Sequence, residues 1–245
     1  MGEHVDRGAE WDLEEQAIEQ LVGYHEAREP IQGEGDQGGD RWGVFKINVK
    51  YNYNMENSKK CIIIAKGPTA ISLKKKDHPN DLIVCINQAC KLVDEPDFVF
   101  MNDIESLWGL TEKDIKGVKH FVIPEYPHKD RKPQLEVTHE TFRQELNKLR
   151  YSGEISIFNL HTSPKKNEKL ISTTKDCSTT THTAIYYLYN KFGFKNFVTY
   201  GFLMGNGYNE IFNDLKIKCN HKHQKENMNE ITRIKNMYNF SLTML

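Results

Sequence analysis

Six short, mostly apolar runs govern what this chain can fold into. They are CIIIA (Cys61–Ala65), LIVCI (Leu82–Ile86), FVFM (Phe98–Met101), VKHFVI (Val118–Ile123), ISIFNL (Ile155–Leu160) and NFVTY (Asn196–Tyr200). Each is too short for a helix that packs alone. A strand with one wet face would alternate apolar and polar residues, and the tightest of these runs do not. Near-continuous apolar strands belong to parallel sheets covered on both faces.

The intervening segments read as the covering helices. Helical patterns are predicted over Gln88–Val93, Glu105–Leu110, Thr138–Arg150, Thr180–Phe192 and Glu226–Tyr238, and Phe240–Leu245 reads as a final strand. The 226–238 segment sets Met228, Ile231, Ile234 and Met237 three apart on one face. The expected fold is α/β: a single Rossmann-like α/β/α domain built on a mainly parallel sheet.

The first part of the chain has a different character. Residues 1–43 hold 12 acidic against 3 basic side chains, a balance of −9, and the remainder carries +8. Glu10–Arg28 shows helical spacing on an acidic background, and QGEGDQGGDRWG after it cannot build a core. The predicted division is therefore an N-terminal helical extension with a Gly/Asp-rich linker over 1–54, and the main domain over 55–245. A mildly basic body suits a phosphorylated ligand, although solvated lysines account for most of that charge.

Several classes recede on composition. No run approaches the ~18 apolar residues that span a bilayer, and the N-terminus lacks the basic and apolar regions of a signal peptide. Five scattered cysteines do not form a disulfide framework or a paired CxxC site, so a cytoplasmic protein is expected. No compact Arg/Lys stripe with interleaved aromatics marks a nucleic-acid surface, but a nucleic-acid acceptor is not ruled out by the sequence. A homo-oligomer is equally compatible with it.

In parallel sheets, ligands bind beyond the carboxyl ends of the strands, which selects the residues to inspect. Lys66, Gly67, Pro68 and Thr69 follow the first strand. Gly67 permits close backbone approach, Pro68 pre-sets the turn, and Thr69 could cap a following helix or bind an oxygen. Neither GxxxxGK[ST] nor GxGxxG is present. Asn87 and Gln88 end the second strand, and Asn102 and Asp103 end the third. Their amides offer both donors and acceptors, as nucleobase edges and ribose hydroxyls require; turns also favour Asx residues. Ser178-Thr-Thr180-Thr181-His182-Thr183 opens a helix with more hydroxyls than one N-cap needs, which fits a phosphate site.

Gly201-Phe-Leu-Met-Gly-Asn-Gly-Tyr208 follows the sixth strand and reads as the start of a lid over about 202–225. Cys219-Asn-His221-Lys-His223 lies within it. Alternate residues of an extended segment share one side, but no fourth metal ligand is evident. A histidine acting as a base, with no metal, is the preferred reading.

In this order, strand–GPT, strand–NQ, strand–N, hydroxyl-rich helix start, Gly193-Phe-Lys-Asn-Phe-Val-Thr-Tyr-Gly201, glycine/tyrosine loop and late histidine, the chain resembles the bacterial single-domain sialyltransferases. It also resembles their wider group of Rossmann-like transferases, which includes flagellin-glycosylating enzymes and hydroxymethylpterin pyrophosphokinases. The resemblance covers about residues 60–245. The family's Gly-Asn-Gly-Pro-Ser turn aligns with Ala65–Thr69, its Asn-Gln with Asn87-Gln88, and its third-strand asparagine with Asn102. Its Thr-Ser-Gly helix start falls on Thr180-Thr181-His182. Its lid histidine falls on His221 or His223.

The resemblance implies transfer of a sugar from a nucleotide-activated donor (CMP-sialate-like or a UDP/NDP-sugar) to the hydroxyl of a glycan or other acceptor. The lid histidine would be general base, Tyr208 a lid group at the phosphate, and no cofactor would be required. The chain departs from the family at Lys66, where the family has asparagine, a change that favours a donor with more phosphate charge. Ser178 stands where an arginine is expected, and Gly201-Phe where a glycine–aspartate pair is expected. Two alternatives accompany this reading. One is a nucleotide-dependent pyrophosphokinase or phosphoryl transferase using Mg, with Asp103, Glu105 and Asp176 as its available carboxylates. The other is a non-catalytic nucleotide-binding module.

Overall fold

The computed structural model describes residues 60–202, 207–215, 228–229, 231–233, 235–236 and 240–245. The helix expected over Glu10–Arg28, the Gly/Asp-rich linker, and the segment holding Cys219, His221 and His223 lie outside the described residues.

Seven strands form one sheet: β1 (Cys61–Ile64), β2 (Leu82–Ile86), β3 (Phe98–Phe100), β4 (His120–Pro124), β7 (Glu154–Phe158), β8 (Asn196–Tyr200) and β9 (Ser241–Met244). Two very short strands, β5 (His128–Lys129) and β6 (Lys132–Pro133), make a separate antiparallel hairpin. The sheet order is β7-β4-β3-β2-β1-β8-β9, and every neighbouring pair is parallel.

The apolar runs form strands because both of their faces are covered. Ile62 and Ile64, Ile83 and Cys85, Val99 and Met101, and Phe121 and Ile123 point into one core. The alternate residues Cys61 and Ile63, Leu82 and Val84, Phe98 and Phe100, and Val122 point into the other. Phe142 and Leu146 of α2 (His139–Lys148) and Ile115 of α1 (Glu112–Ile115) belong to the first core. Ala184, Ile185, Tyr187 and Leu188 of α3 (Thr180–Phe192) belong to the second, with Ile231 and Phe240. The result is the expected α/β architecture of three layers.

α3 has a clear start and stop. Thr179 takes the N-cap position in extended conformation and its side chain accepts from the His182 N–H. Gly193 ends the helix at φ +71°, where its N–H reaches the Tyr189 carbonyl at 2.9 Å.

Two expected helices differ in kind. Asn87–Leu92 and Ile104–Leu107 are 3-10 turns. Only residues 87–97 connect β2 to β3, too few for a packed α-helix with a turn at each end, and the tighter 3-10 winding covers the span with less chain. The predicted final helix is described at residues 228–229, 231–233 and 235–236; Ile234 and Met237 lie outside the described residues. Among the described residues, no helix is long and apolar enough to cross a membrane.

The strand order locates the ligand edge. From β1 to β4 successive strands are added on one side of β1. α3 then runs from beyond β7 back across β2 and β3, and β8 pairs on the opposite side of β1. The switch point lies between β1 and β8, and the crevice outside their carboxyl ends is where such sheets take ligands.

Candidate functional site

The first wall of that crevice is the turn after β1. The Gly67 N–H donates to the Gly201 carbonyl at 2.7 Å, and the Ala70 N–H to the Gly67 carbonyl at 2.9 Å. The Gly67 amide is therefore committed to the turn after β8, and this turn does not offer it to a phosphate. Gly201 allows that close approach: it sits at φ +66°, and a Cβ there would stand 2.6 Å from the Ala65 carbonyl oxygen. Thr69 does not cap a helix, because none follows it. Its hydroxyl instead donates to the Leu245 carbonyl at 2.6 Å and accepts from the Gly201 N–H at 3.0 Å. Pro68 is exposed at the turn's crest.

Lys66 supplies what the backbone does not. It is only 7% exposed. Its Nζ donates to Gln88 Oε1 at 2.8 Å and lies 4.9 Å from the centre of the Tyr208 ring. The Lys66 carbonyl accepts from the Asn209 N–H at 2.8 Å, and Asn209 Nδ2 reaches the Ala70 carbonyl at 3.1 Å. The described stretch after β8 is thus fastened to the turn after β1, with Tyr208 against the ammonium.

Asn87 and Asn102 stand at the ends of the next two strands. Asn87 opens the 3-10 turn at φ +55°, a left-handed conformation that asparagine tolerates better than most residues. Its Oδ1 is buried without a hydrogen-bond partner among the described residues. Asn102 is 5% exposed. Its Nδ2 donates to Thr183 Oγ1 at 3.1 Å, tying β3 to α3, and its Oδ1 is likewise buried and unbonded. Two amide oxygens on adjacent strand ends therefore need N–H or O–H donors that the described residues do not provide.

The helix start is more structural than its hydroxyl count implied. Thr180 and Thr181 are buried, and His182 is fully buried. His182 Nδ1 lies 3.0 Å from Ser178 Oγ and 3.2 Å from Thr179 Oγ1, and its ring meets Phe202 edge-on at 5.7 Å. Asp176, just upstream, pairs with Arg233.

Asp103 does not stand alone. It forms a bridge with His128 of the β5–β6 hairpin, whose Nδ1 lies 3.4 Å from Asp103 Oδ1. His161, at the end of β7, sits close enough to feel the charge of His128. Burial first, then His128 and Lys166, push its pKa below the ordinary histidine value.

Sequence reasoning missed both histidines. The strand-end rule would have found His161 had it been applied to the fifth strand as to the first three. His128 gave no comparable signal, because its place depends on a two-residue hairpin folding back onto β3.

The structure thus brings Lys66, Gly67, Gln88 and Tyr208 together and sets Asn87, Asn102 and Asp103 along the same edge. It holds Thr180, Thr181 and His182 behind them in the helix start, while His221 and His223 fall outside the described residues. Among the described residues no three His, Cys, Asp or Glu side chains group as metal ligands would. No family model, no curated protein and no solved structure matches this chain.

Proposed function

We propose that the chain is a glycosyltransferase that takes a nucleotide-activated sugar at the carboxyl edge of β1, β2 and β3. The observation that carries this reading is the pair of buried, unbonded amide oxygens of Asn87 and Asn102, on the same sheet edge as the Lys66 ammonium that Gln88 holds. Amide acceptors suit ribose hydroxyls or the exocyclic amine of a base, and a cation on the same edge suits the phosphate. Lys66 follows β1 at the switch point, where nucleotides enter sheets of this order, and Asn87 and Asn102 end the next two strands of the same edge.

In this reading Lys66 and Tyr208 attend the phosphate that leaves. A histidine takes the acceptor's proton, a role the resemblance gives to His221 or His223, and the acceptor is an alcohol, with a CMP-sialate-like or UDP/NDP-sugar as donor. The magnesium-dependent phosphoryl transfer alternative is less well supported. Asp103 and Asp176, two of the three carboxylates it would draw on, are each already turned toward a side chain of the protein, His128 and Arg233.

Calorimetric titration of the full chain with CMP, UDP, GDP and ATP tests the reading. One nucleotide is expected to bind, and Asn102→Leu is expected to weaken it at least about tenfold, or ~1.4 kcal/mol. Failure of all four to bind at millimolar concentration would remove the proposal. Binding without any consumption of the matching sugar nucleotide would leave the non-catalytic module in its place.

A further inference from the structure

Next to the Asn102 amide the sheet edge carries a polar group that the strand pattern does not announce. The His128 N–H donates to the Asn102 carbonyl at 2.8 Å, which clips the β5–β6 hairpin to the end of β3. The hairpin turn is held as well, by the Asp130 N–H donating to Glu105 Oε1 at 2.6 Å. The imidazole is then fixed through its ring. Nδ1 faces Asp103 Oδ1 at 3.4 Å, and Nε2 faces Thr162 Oγ1 at 3.4 Å.

A carboxylate at Nδ1 selects the tautomer with the proton on that nitrogen. The Nε2 lone pair is then left to accept a proton, and the carboxylate stabilises the imidazolium that results. The group already facing Nε2 is an alcohol, the Thr162 hydroxyl, which is the functional group an acceptor would present. Strands lie ~4.8 Å apart, so the end of β3 stands about 10 Å along the edge from the turn carrying Lys66. His128 is beside the amides and to one side of the phosphate turn.

We infer that His128, in place of His221 or His223, is the catalytic base of this site, taking the proton from the acceptor hydroxyl, and that Asp103 is its positioning residue. The inference rests on the transferase reading above. The acceptor's O–H bond breaks as its oxygen bonds to the anomeric carbon, and the proton passes to His128 Nε2. The bond from the anomeric carbon to the phosphate oxygen breaks, and its electron pair leaves with the nucleotide. Water later removes the proton from the imidazolium.

His161 accompanies this step as a neutral neighbour. Its Nδ1 is buried and unbonded among the described residues, and its lowered pKa keeps a second positive charge away from His128. Asp103 is the carboxylate paired with His128, and Lys166 acts on His161 from the loop after β7.

The test uses the full chain with CMP-sialate, UDP-glucose and GDP-mannose as donors and glycerol or water as acceptor. His128→Ala is expected to lower kcat about 100-fold or more. The donor KM and the calorimetric nucleotide affinity should stay within about twofold of wild type, and added imidazole should restore part of the rate. Asp103→Asn should lower kcat by about tenfold at constant KM, with Asp103→Glu recovering most of it.

Several outcomes would overturn the assignment while leaving the transferase standing. One is turnover by His128→Ala within about threefold of wild type. Another is a loss that imidazole does not restore, or one matched by an equal loss of nucleotide affinity. A third is turnover that survives His128→Ala but disappears in His221→Ala or His223→Ala. A wild-type chain that consumes no donor would overturn both the transferase reading and the base.

Discussion

The two ends of the sheet treat buried polar groups in opposite ways. At the amino end Asp97, 1% exposed, is fully engaged. Its Oδ2 accepts from Lys75 Nζ at 2.5 Å and the Ile83 N–H at 2.9 Å, and its Oδ1 from Lys119 Nζ at 2.8 Å. Tyr151 adds a hydroxyl shared between the Lys119 and Glu154 carbonyls. At the carboxyl end Asn87 Oδ1, Asn102 Oδ1 and His161 Nδ1 are buried without partners among the described residues. The same sheet therefore satisfies its polar atoms at one end and leaves them for something else at the other. A sequence that settles the first kind so completely does not leave the second by default, because each unbonded buried group costs about 1–3 kcal/mol.

That contrast can be broken most forcefully at Asp97. Asp97→Ala leaves two lysines and an amide without their acceptor, and a loss of about 3–5 kcal/mol is expected in urea unfolding. A loss below about 1 kcal/mol would mean the clamp is ornamental.

The second test also lies at the amino end. His120 opens β4 opposite Glu154, with Nε2 2.9 Å from Ser156 Oγ and its ring 5.0 Å from that of Phe98. Burial, with Lys191 adding to it, pushes its pKa from 6.5 to about 4. The unfolded chain binds a proton as pH falls below 6.5, whereas the folded chain refuses it until about 4. Stability from this residue is thus present above pH 6.5, falls across that window, and levels off below it, by about 3 kcal/mol in all. Glu154, raised by burial, works in the opposite sense and softens the fall. His120→Phe should flatten the dependence of the unfolding midpoint between pH 6.5 and 4; an unchanged slope would assign the acid sensitivity to other groups.

At the carboxyl end two substitutions should behave differently from each other. Gly201→Ala places a methyl against the Ala65 carbonyl at a positive φ, and about 2–3 kcal/mol should be lost. Asn102→Leu gives up its bond to Thr183 but also removes an unbonded oxygen. Its stability should stay within about 1 kcal/mol while nucleotide affinity falls. A large stability loss for Asn102→Leu would make the amide structural and erase the contrast between the ends.

How far this was legible depends on what each feature rests on. The central strands were readable because burial on both faces demands continuous apolar runs, and LIVCI coincides with β2; NFVTY, buried at alternate residues, coincides with β8. The helix Thr180–Phe192 was readable from its hydroxyl start and Gly193 stop. The 3-10 character of Asn87–Leu92 was not, because propensity does not register how little chain is available between two strands. The Lys66 turn was legible as the turn that follows β1, but its Gly67 amide is spent on Gly201, a partner more than a hundred residues away. His128 was invisible for the same reason: its neighbours Asn102 and Thr162 are set by the fold and not by spacing.

The place of β1 between β2 and β8 has a consequence for synthesis. β1 and β2 leave the ribosome together, whereas β8 follows only after residue 195. At 5–20 residues per second the interval is on the order of ten seconds. During it, one side of CIII is an unpaired apolar edge, the kind that other chains recruit into aggregates. Chains halted before residue 196 are expected to sediment where full-length chains remain in the supernatant, and equal recovery of both would show that some other segment guards the edge. The crevice that is proposed to hold the nucleotide is closed by the same late strand, so neither shielding nor binding is complete until β8 docks.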